Sequence, residues 1–153
     1  MPSLVGSEMC IRDRVKKEDV ERFHEDGAVR LKGIISSDWL DLLDKGFSQA
    51  IASPGKFSKS YGPAGAPRYY TDHRLFNRFE HFKRFLFEGP LSQAAPEILG
   101  SNRLDLYDEH LLIKEPGAPA PTYWHHDLPY FAIDGSIGLT QILNMELLKS
   151  FST

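Results

Sequence analysis

One cysteine, Cys10, in 153 residues leaves no intrachain disulfide framework. A reducing compartment fits, and the cytoplasm is the expected location. No apolar run approaches the ~20 residues that span a bilayer, so no membrane partner is expected. Met1 to Arg14 lacks the continuous apolar stretch of a secretory signal. Charge of one sign is lacking too: 18 Lys and Arg face 21 Asp and Glu, for a net charge of −3. That balance gives no electrostatic footprint for nucleic acid. There are no internal repeats, and nothing of low complexity beyond Pro116 to Pro121. What is present is 41% hydrophobic, 12% aromatic and 25% charged residues, the make-up of a globular protein. The length allows one domain at most, or part of one.

Residues 1–14 are expected to be a non-native tail. Glu8-Met9-Cys10-Ile11-Arg12-Asp13-Arg14 resembles the translation of a transposon end used to prepare sequencing libraries, and such scars are kept out of fold reasoning. Lys16 to Asp26 then reads as a helix with Val20, Phe23 and His24 on its apolar side and Gly27 as a left-handed stop. Ala28 to Ile35 reads as a strand, Val29 and Leu31 alternating with Arg30 and Lys32. Ser36 or Ser37 caps a second helix, with Trp39, Leu42, Leu43, Phe47, Ala50 and Ile51 as its apolar stripe. Ser53 to Pro67 reads as a long loop, rich in Pro and Gly. Arg68, Tyr69, Tyr70 and His73 after it form either a site rim, with Arg68 meeting an anionic substrate, or a solvated loop. Phe76, Phe79, Phe82, Phe85 and Leu86 recur at helical steps, predicting a helix over Leu75 to Phe87 that is buried against a sheet, with His81 on its solvated face. Pro90 opens a further helix ending near Leu99, with Gly100 as its stop. Asn102 to Lys114 reads as a strand, its His110, Leu112 and Lys114 on one face and Glu109, Leu111 and Ile113 on the other. Ile137 to Leu143 is a candidate for one more.

The chemistry gathers in Tyr123-Trp124-His125-His126-Asp127-Leu128-Pro129-Tyr130-Phe131, nine positions with four aromatics, two histidines and an aspartate. It follows a turn over Pro116 to Thr122. On an extended strand, His125 and Asp127 point to the same face while His126 points away. One imidazole and one carboxylate make two thirds of the facial triad that holds non-haem iron and leaves open positions for co-substrate and oxygen. An H-x-D triplet by itself is common, and it can equally be a surface turn in which Asp127 caps a backbone N–H.

In this order, the pieces resemble the N-terminal half of a phytanoyl-CoA dioxygenase family protein, from about Lys17 to Gly138. The run Val20-Glu21-Arg22-Phe23-His24-Glu25-Asp26-Gly27-Ala28-Val29 is similar to that family's helix–Gly–strand entry. The most specific part is His110-Leu111-Leu112-Ile113-Lys114-Glu115-Pro116-Gly117, followed by Thr122, Trp124-His125-His126-Asp127-Leu128-Pro129-Tyr130 and Gly135. The resemblance implies an α+β fold: a double-stranded β-helix, or cupin-like jelly roll, with the N-terminal helices packed outside. It implies Fe(II), with 2-oxoglutarate as co-substrate. Family enzymes couple oxidative decarboxylation of 2-oxoglutarate, using O2, to hydroxylation of a C–H bond in a small-molecule or acyl substrate. By position, His125 and Asp127 match the first two iron ligands. His110 falls where the family has a side chain beside 2-oxoglutarate, and Lys114 on the same strand face is a second candidate. His126 takes the variable middle position.

The chain departs from the family in three ways. His126 is its last histidine and Arg103 its last arginine, so the third iron ligand and the arginine that pairs with 2-oxoglutarate are not in it. Thr140 to Thr153 does not resemble the family's next strand. Truncation, or truncation after a frame error, accounts for all three. Residues 15–153 are thus expected to be the N-terminal part of one domain whose C-terminal half is missing, since a jelly roll needs about eight strands. Such a piece is expected to pack poorly and to lack turnover. Two other classes compete. One is a non-catalytic jelly-roll module that holds a small molecule. The other is a zinc hydrolase using His125 and Asp127, for which neither a third ligand nor a general base is at hand. No residue specifies the substrate or the oligomeric state.

Overall fold

A computed structural model describes residues 15–118, 121 and 123–125. The expected tail over 1–14, Asp127 and the strand expected over Ile137 to Leu143 lie outside the described residues.

Helix α1 (Lys17–Asp26) begins after Lys16, whose backbone N–H donates to the Asp19 carboxylate at 3.1 Å. It stops at Gly27, which takes the left-handed conformation (φ 74°). A first-turn acceptor and a Cβ-free stop are the two devices that a free helix end needs. The segment from Ala28 to Ile35, expected as a strand, is not one. Val29 and Leu31 are half-buried while Arg30 and Lys32 are exposed, so the alternation survives. A strand, however, exists only through its ladder, and this segment has no place in the sheet. Helix α2 (Ser37–Ala52) follows, with Ser36 as its first flanking residue. Gly46, in its middle, costs helix propensity. Contact explains it: a Cβ there would lie 3.0 Å from both His81 Cβ and Phe82 Cε2. The glycine lets α2 lie close against the helix that carries those residues.

The stretch from Ser53 to Pro67, expected as a long loop, contains strand β1 (Lys59–Tyr61). It pairs antiparallel with β2 (Tyr69–His73), Lys59 facing Thr71 and Tyr61 facing Tyr69. The Pro and Gly residues of 62–67 are therefore a hairpin connection. The Arg68 to His73 region, read as a site rim or a solvated loop, is the central strand and its approach. β3 (His110–Lys114) pairs with the other side of β2, giving a three-stranded antiparallel sheet in the order β1-β2-β3. The strand expected over Asn102 to Lys114 thus narrows to its last five residues, because β2 offers only five to pair with. The ladder runs one step further where Arg74 N–H donates to Glu109 O at 3.2 Å.

The single helix expected over Leu75 to Phe87 is two elements. Arg74 is left-handed (φ 56°), Leu75–Asn77 is one 3-10 turn, and α3 (Glu80–Glu88) starts after Phe79. The cause is distant in sequence: the Glu109 carboxylate accepts from Phe76 N–H at 3.2 Å and fixes the turn. Of the aromatic stripe, Phe82 and Phe85 are buried, and Phe76, Phe79 and Leu86 are half-buried. It packs chiefly on α2 and less on the sheet, with Phe47 and Phe82 centroids 5.6 Å apart and Trp39 and Phe85 at 5.9 Å. His81, expected in solvent, is half-buried against Gly46, since the same close helix approach covers it. Helix α4 (Pro90–Leu99) has Pro90 in its first turn and ends at Gly100 (φ 62°), as the sequence predicts.

Leu43 and Ala50 of α2, Phe82 and Phe85 of α3, Leu75 of the 3-10 turn, and Tyr70 and Leu111 of the sheet form one core. The architecture is α+β, with helices against a small antiparallel sheet. Among the described residues, no helix is long and apolar enough to cross a membrane.

Candidate functional site

The period of two sorts the sheet into two unlike faces. Tyr70, Asp72, Leu111 and Ile113 turn toward the helices, and Tyr70 and Leu111 enter the core. The other face carries Tyr61 on β1, Tyr69, Thr71 and His73 on β2, and His110, Leu112 and Lys114 on β3, in facing pairs Tyr69–Lys114, Thr71–Leu112 and His73–His110. His110, Leu112 and Lys114 are all exposed, while Leu111 between them is buried. His110 and Lys114 therefore stand on the face away from the helices, at opposite ends of β3. The Lys114 Nζ lies 5.5 Å from the Tyr69 ring centroid, and Tyr69 in turn packs on Tyr61 at 5.3 Å.

At the other end, the His110 ring stacks on His73 at 3.8 Å between centroids and 17° between planes. His73 Nδ1 is 2.9 Å from Asp108 Oδ2. A carboxylate accepts, so His73 Nδ1 is the donor. Sequence reasoning placed His73 near the site but missed Asp108 as its partner. The signal was the alternation Tyr69, Thr71, His73, hidden because β2 was read as loop. Arg68, one reading of which was an anion-binding group, is committed elsewhere. Its Nε and Nη2 donate to Glu115 Oε1 at 2.9 and 2.7 Å, and its backbone N–H donates to Oε2 at 2.6 Å. Those hydrogen bonds hold the Glu115 carboxyl below the usual range.

Two carboxyl groups behind the face are shifted in opposite directions. Asp72 is fully buried (0% exposed) yet accepts from His73 N–H, Gly55 N–H, Arg78 Nη1 and the Tyr70 hydroxyl, at 2.9, 3.2, 2.9 and 3.1 Å. Burial alone would raise its carboxyl, but these four donors outweigh it and the net shift is downward. Burial pushes Glu109 the other way, up to about 7, with the neighbouring Asp108 charge adding to the rise and the Phe76 and Leu75 N–H groups opposing it. Glu109 Oε1 is buried without a hydrogen-bond partner among the described residues.

His125 is exposed and belongs to no strand; no neighbouring strand pairs with it among the described residues. Its Nδ1 lies 2.7 Å from the Tyr123 carbonyl oxygen. A carbonyl only accepts, so Nδ1 is the donor there, and in the neutral ring that leaves the lone pair on Nε2, the form in which a histidine ligates a metal. Trp124 beside it is fully exposed. Among the described residues, no three His, Cys, Asp or Glu side chains converge as a metal site. A scan against protein-family models, a search of curated proteins and a search of solved structures each return no match.

Proposed function

We propose that the chain is part of a non-haem Fe(II)/2-oxoglutarate-dependent oxygenase of the phytanoyl-CoA dioxygenase kind, its sheet one layer of a jelly roll. The sequence resemblance carries the reading, and one observation supports it. Helices cover one face of the sheet, while His110 and Lys114, the two side chains assigned to the co-substrate, stand on the other. In a jelly roll that second face is the interior one. The tautomer that the Tyr123 carbonyl imposes on His125 also suits a metal ligand.

In this reading, His125 and Asp127 hold Fe(II), which with 2-oxoglutarate and O2 supplies oxidation of a substrate C–H bond. The neutral imidazole and the carboxylate suit that ion and leave coordination positions open. Four residues of strand, about 13 Å, separate His110 from Lys114. Of the two, His110 is the hydrogen-bonding candidate beside the co-substrate and the Lys114 ammonium the charged one. The Tyr61 and Tyr69 rings beside Lys114 keep that end of the face apolar around its charge.

The test is iron-dependent succinate release from 2-oxoglutarate by the chain extended with the downstream half of a family oxygenase. Asp127→Ala is expected to abolish it. Undiminished release would remove Asp127 from the site, and release lost in neither Asp127→Ala nor His125→Ala would remove the reading.

A further inference from the structure

A cleft of ≈ 320 Å³ opens between the 53–58 loop, the end of β2 and the 3-10 turn, walled by Lys56, Phe57, His73, Arg74, Asn77 and Arg78. Its charge is unbalanced. Arg78 is paired with Asp72 at 2.9 Å, and Arg74 Nε is 3.8 Å from Asp108 Oδ1. Lys56 pairs with no carboxylate among the described residues. Three full cations thus face two carboxylates, and the second of these is shared with His73. The surplus is concentrated on one ring: Lys56 Nζ is 4.8 Å and Arg74 Cζ 5.7 Å from the Phe57 centroid, and Phe57 is 42% exposed. Like charges gathered so closely repel.

The backbone adds a second, independent observation. Arg74 is the one non-glycine residue with positive φ among the described residues. A side chain with a Cβ rarely sits there, and such conformations persist where the surroundings enforce them. The Arg74 N–H to Glu109 O bond and the Glu109-fixed turn enforce it here. Gly55 closes the other wall, where a Cβ would collide with Arg78 Nη1.

We propose that this cleft binds the phosphate or diphosphate group of a small molecule. A carboxylate offers two oxygens in a plane. The cleft is lined by a guanidinium fork, an ammonium and an amide, from Arg74, Lys56 and Asn77, more cationic groups than one carboxylate can use and a better match to a tetrahedral, multiply charged anion. The stacked His73–His110 pair joins the cleft to the open sheet face, so the rest of the ligand lies over that face. The proposal requires no metal and stands whether or not the iron reading does.

The experiment titrates the full chain with inorganic phosphate and with inorganic pyrophosphate in metal-free buffer at low ionic strength, by calorimetry and 31P NMR. Saturable one-to-one binding is expected, tighter for pyrophosphate. It is expected to weaken about tenfold in Lys56→Gln and in Arg74→Gly, the loss of one charge-assisted contact each. Arg74→Gly relaxes the left-handed backbone, so its Tm is not expected to fall. Lys45→Gln, an exposed cation on α2 outside the cleft, is expected to bind as the unaltered chain does. If Arg74→Gly does lower the Tm, the exposed Lys56→Gln decides. Absence of saturable binding, undiminished binding in Lys56→Gln, or equal weakening in Lys45→Gln would overturn the proposal.

Discussion

Glu109 and Asp72 pull the stability of this chain in opposite directions as pH changes. Glu109 has an ordinary carboxyl value of 4.5 and a folded one of about 7. Between those values the native state holds more protons than the unfolded chain, so stability falls as pH rises from 4.5 to about 7. Asp72 is lowered on folding. Its contribution is present above about pH 4 and is lost as pH falls through its folded value. Thermal melts across pH are therefore expected to peak near pH 4–5. Glu109→Gln is expected to flatten the alkaline side and raise the Tm above pH 7, because a neutral amide takes over the turn contact without a buried charge. A Tm that keeps rising to pH 8 in the unaltered chain would contradict the Glu109 assignment. Asp72→Asn is expected to cost about 1–3 kcal/mol in urea unfolding at neutral pH, since it removes the charge that faces Arg78 and puts a donor where a buried carboxylate accepts four hydrogen bonds. At this scale the sequence was only partly legible. Alternation along β3 put His110 and Lys114 opposite Leu111. The donors to Asp72 come from Gly55, Tyr70, His73 and Arg78, which no local pattern links.

Elements were legible where local signals define their ends. Gly27 marks the end of α1, and Pro90 and Gly100 delimit α4. They were misread where a distant partner decides. Phenylalanines at helical steps over Leu75 to Phe87 fit one helix, yet Glu109 interrupts it from across the sheet. Val29 and Leu31 alternate like a strand but have no ladder, whereas Lys59 to Tyr61, with no alternating apolar signal, becomes a strand because β2 lies beside it. The helix packing makes the stripe testable. Phe82 and Phe85 are each 5% exposed, and Phe87, on the same helix, is 54% exposed. Phe82→Ala or Phe85→Ala is expected to cost about 3–5 kcal/mol in denaturant unfolding. Phe87→Ala is expected to stay within about 0.5 kcal/mol. Similar costs at all three positions would mean that α3 is rotated about its axis relative to the contacts with Phe47 and Trp39.

At the scale of the whole molecule, the consequence of the fold is its one-sidedness. The core lies between the helices and a single sheet face, and the opposite face presents Leu112 at 54% and Tyr61 at 44% exposure. The sheet ends at β1 and β3 among the described residues. Exposed apolar surface beside a sheet edge drives association between chains. Under the jelly-roll reading this face packs against a second sheet, and the residues that bear the chemistry point into the space between. Sedimentation velocity over rising concentration is therefore expected to show reversible association of the chain. Leu112→Lys is expected to weaken it while shifting stability by no more than about 0.5 kcal/mol, as for a surface site. The substitution puts an ammonium where two hydrophobic faces would meet, next to Lys114 on the same face, so the charges of both copies repel. A chain that stays monomeric at every concentration would argue against an adhesive face. Association that Leu112→Lys leaves untouched would place the contact elsewhere, on the exposed aromatics of Tyr123 and Trp124. The double variant Tyr123→Ser/Trp124→Ser then identifies that surface by restoring the monomer.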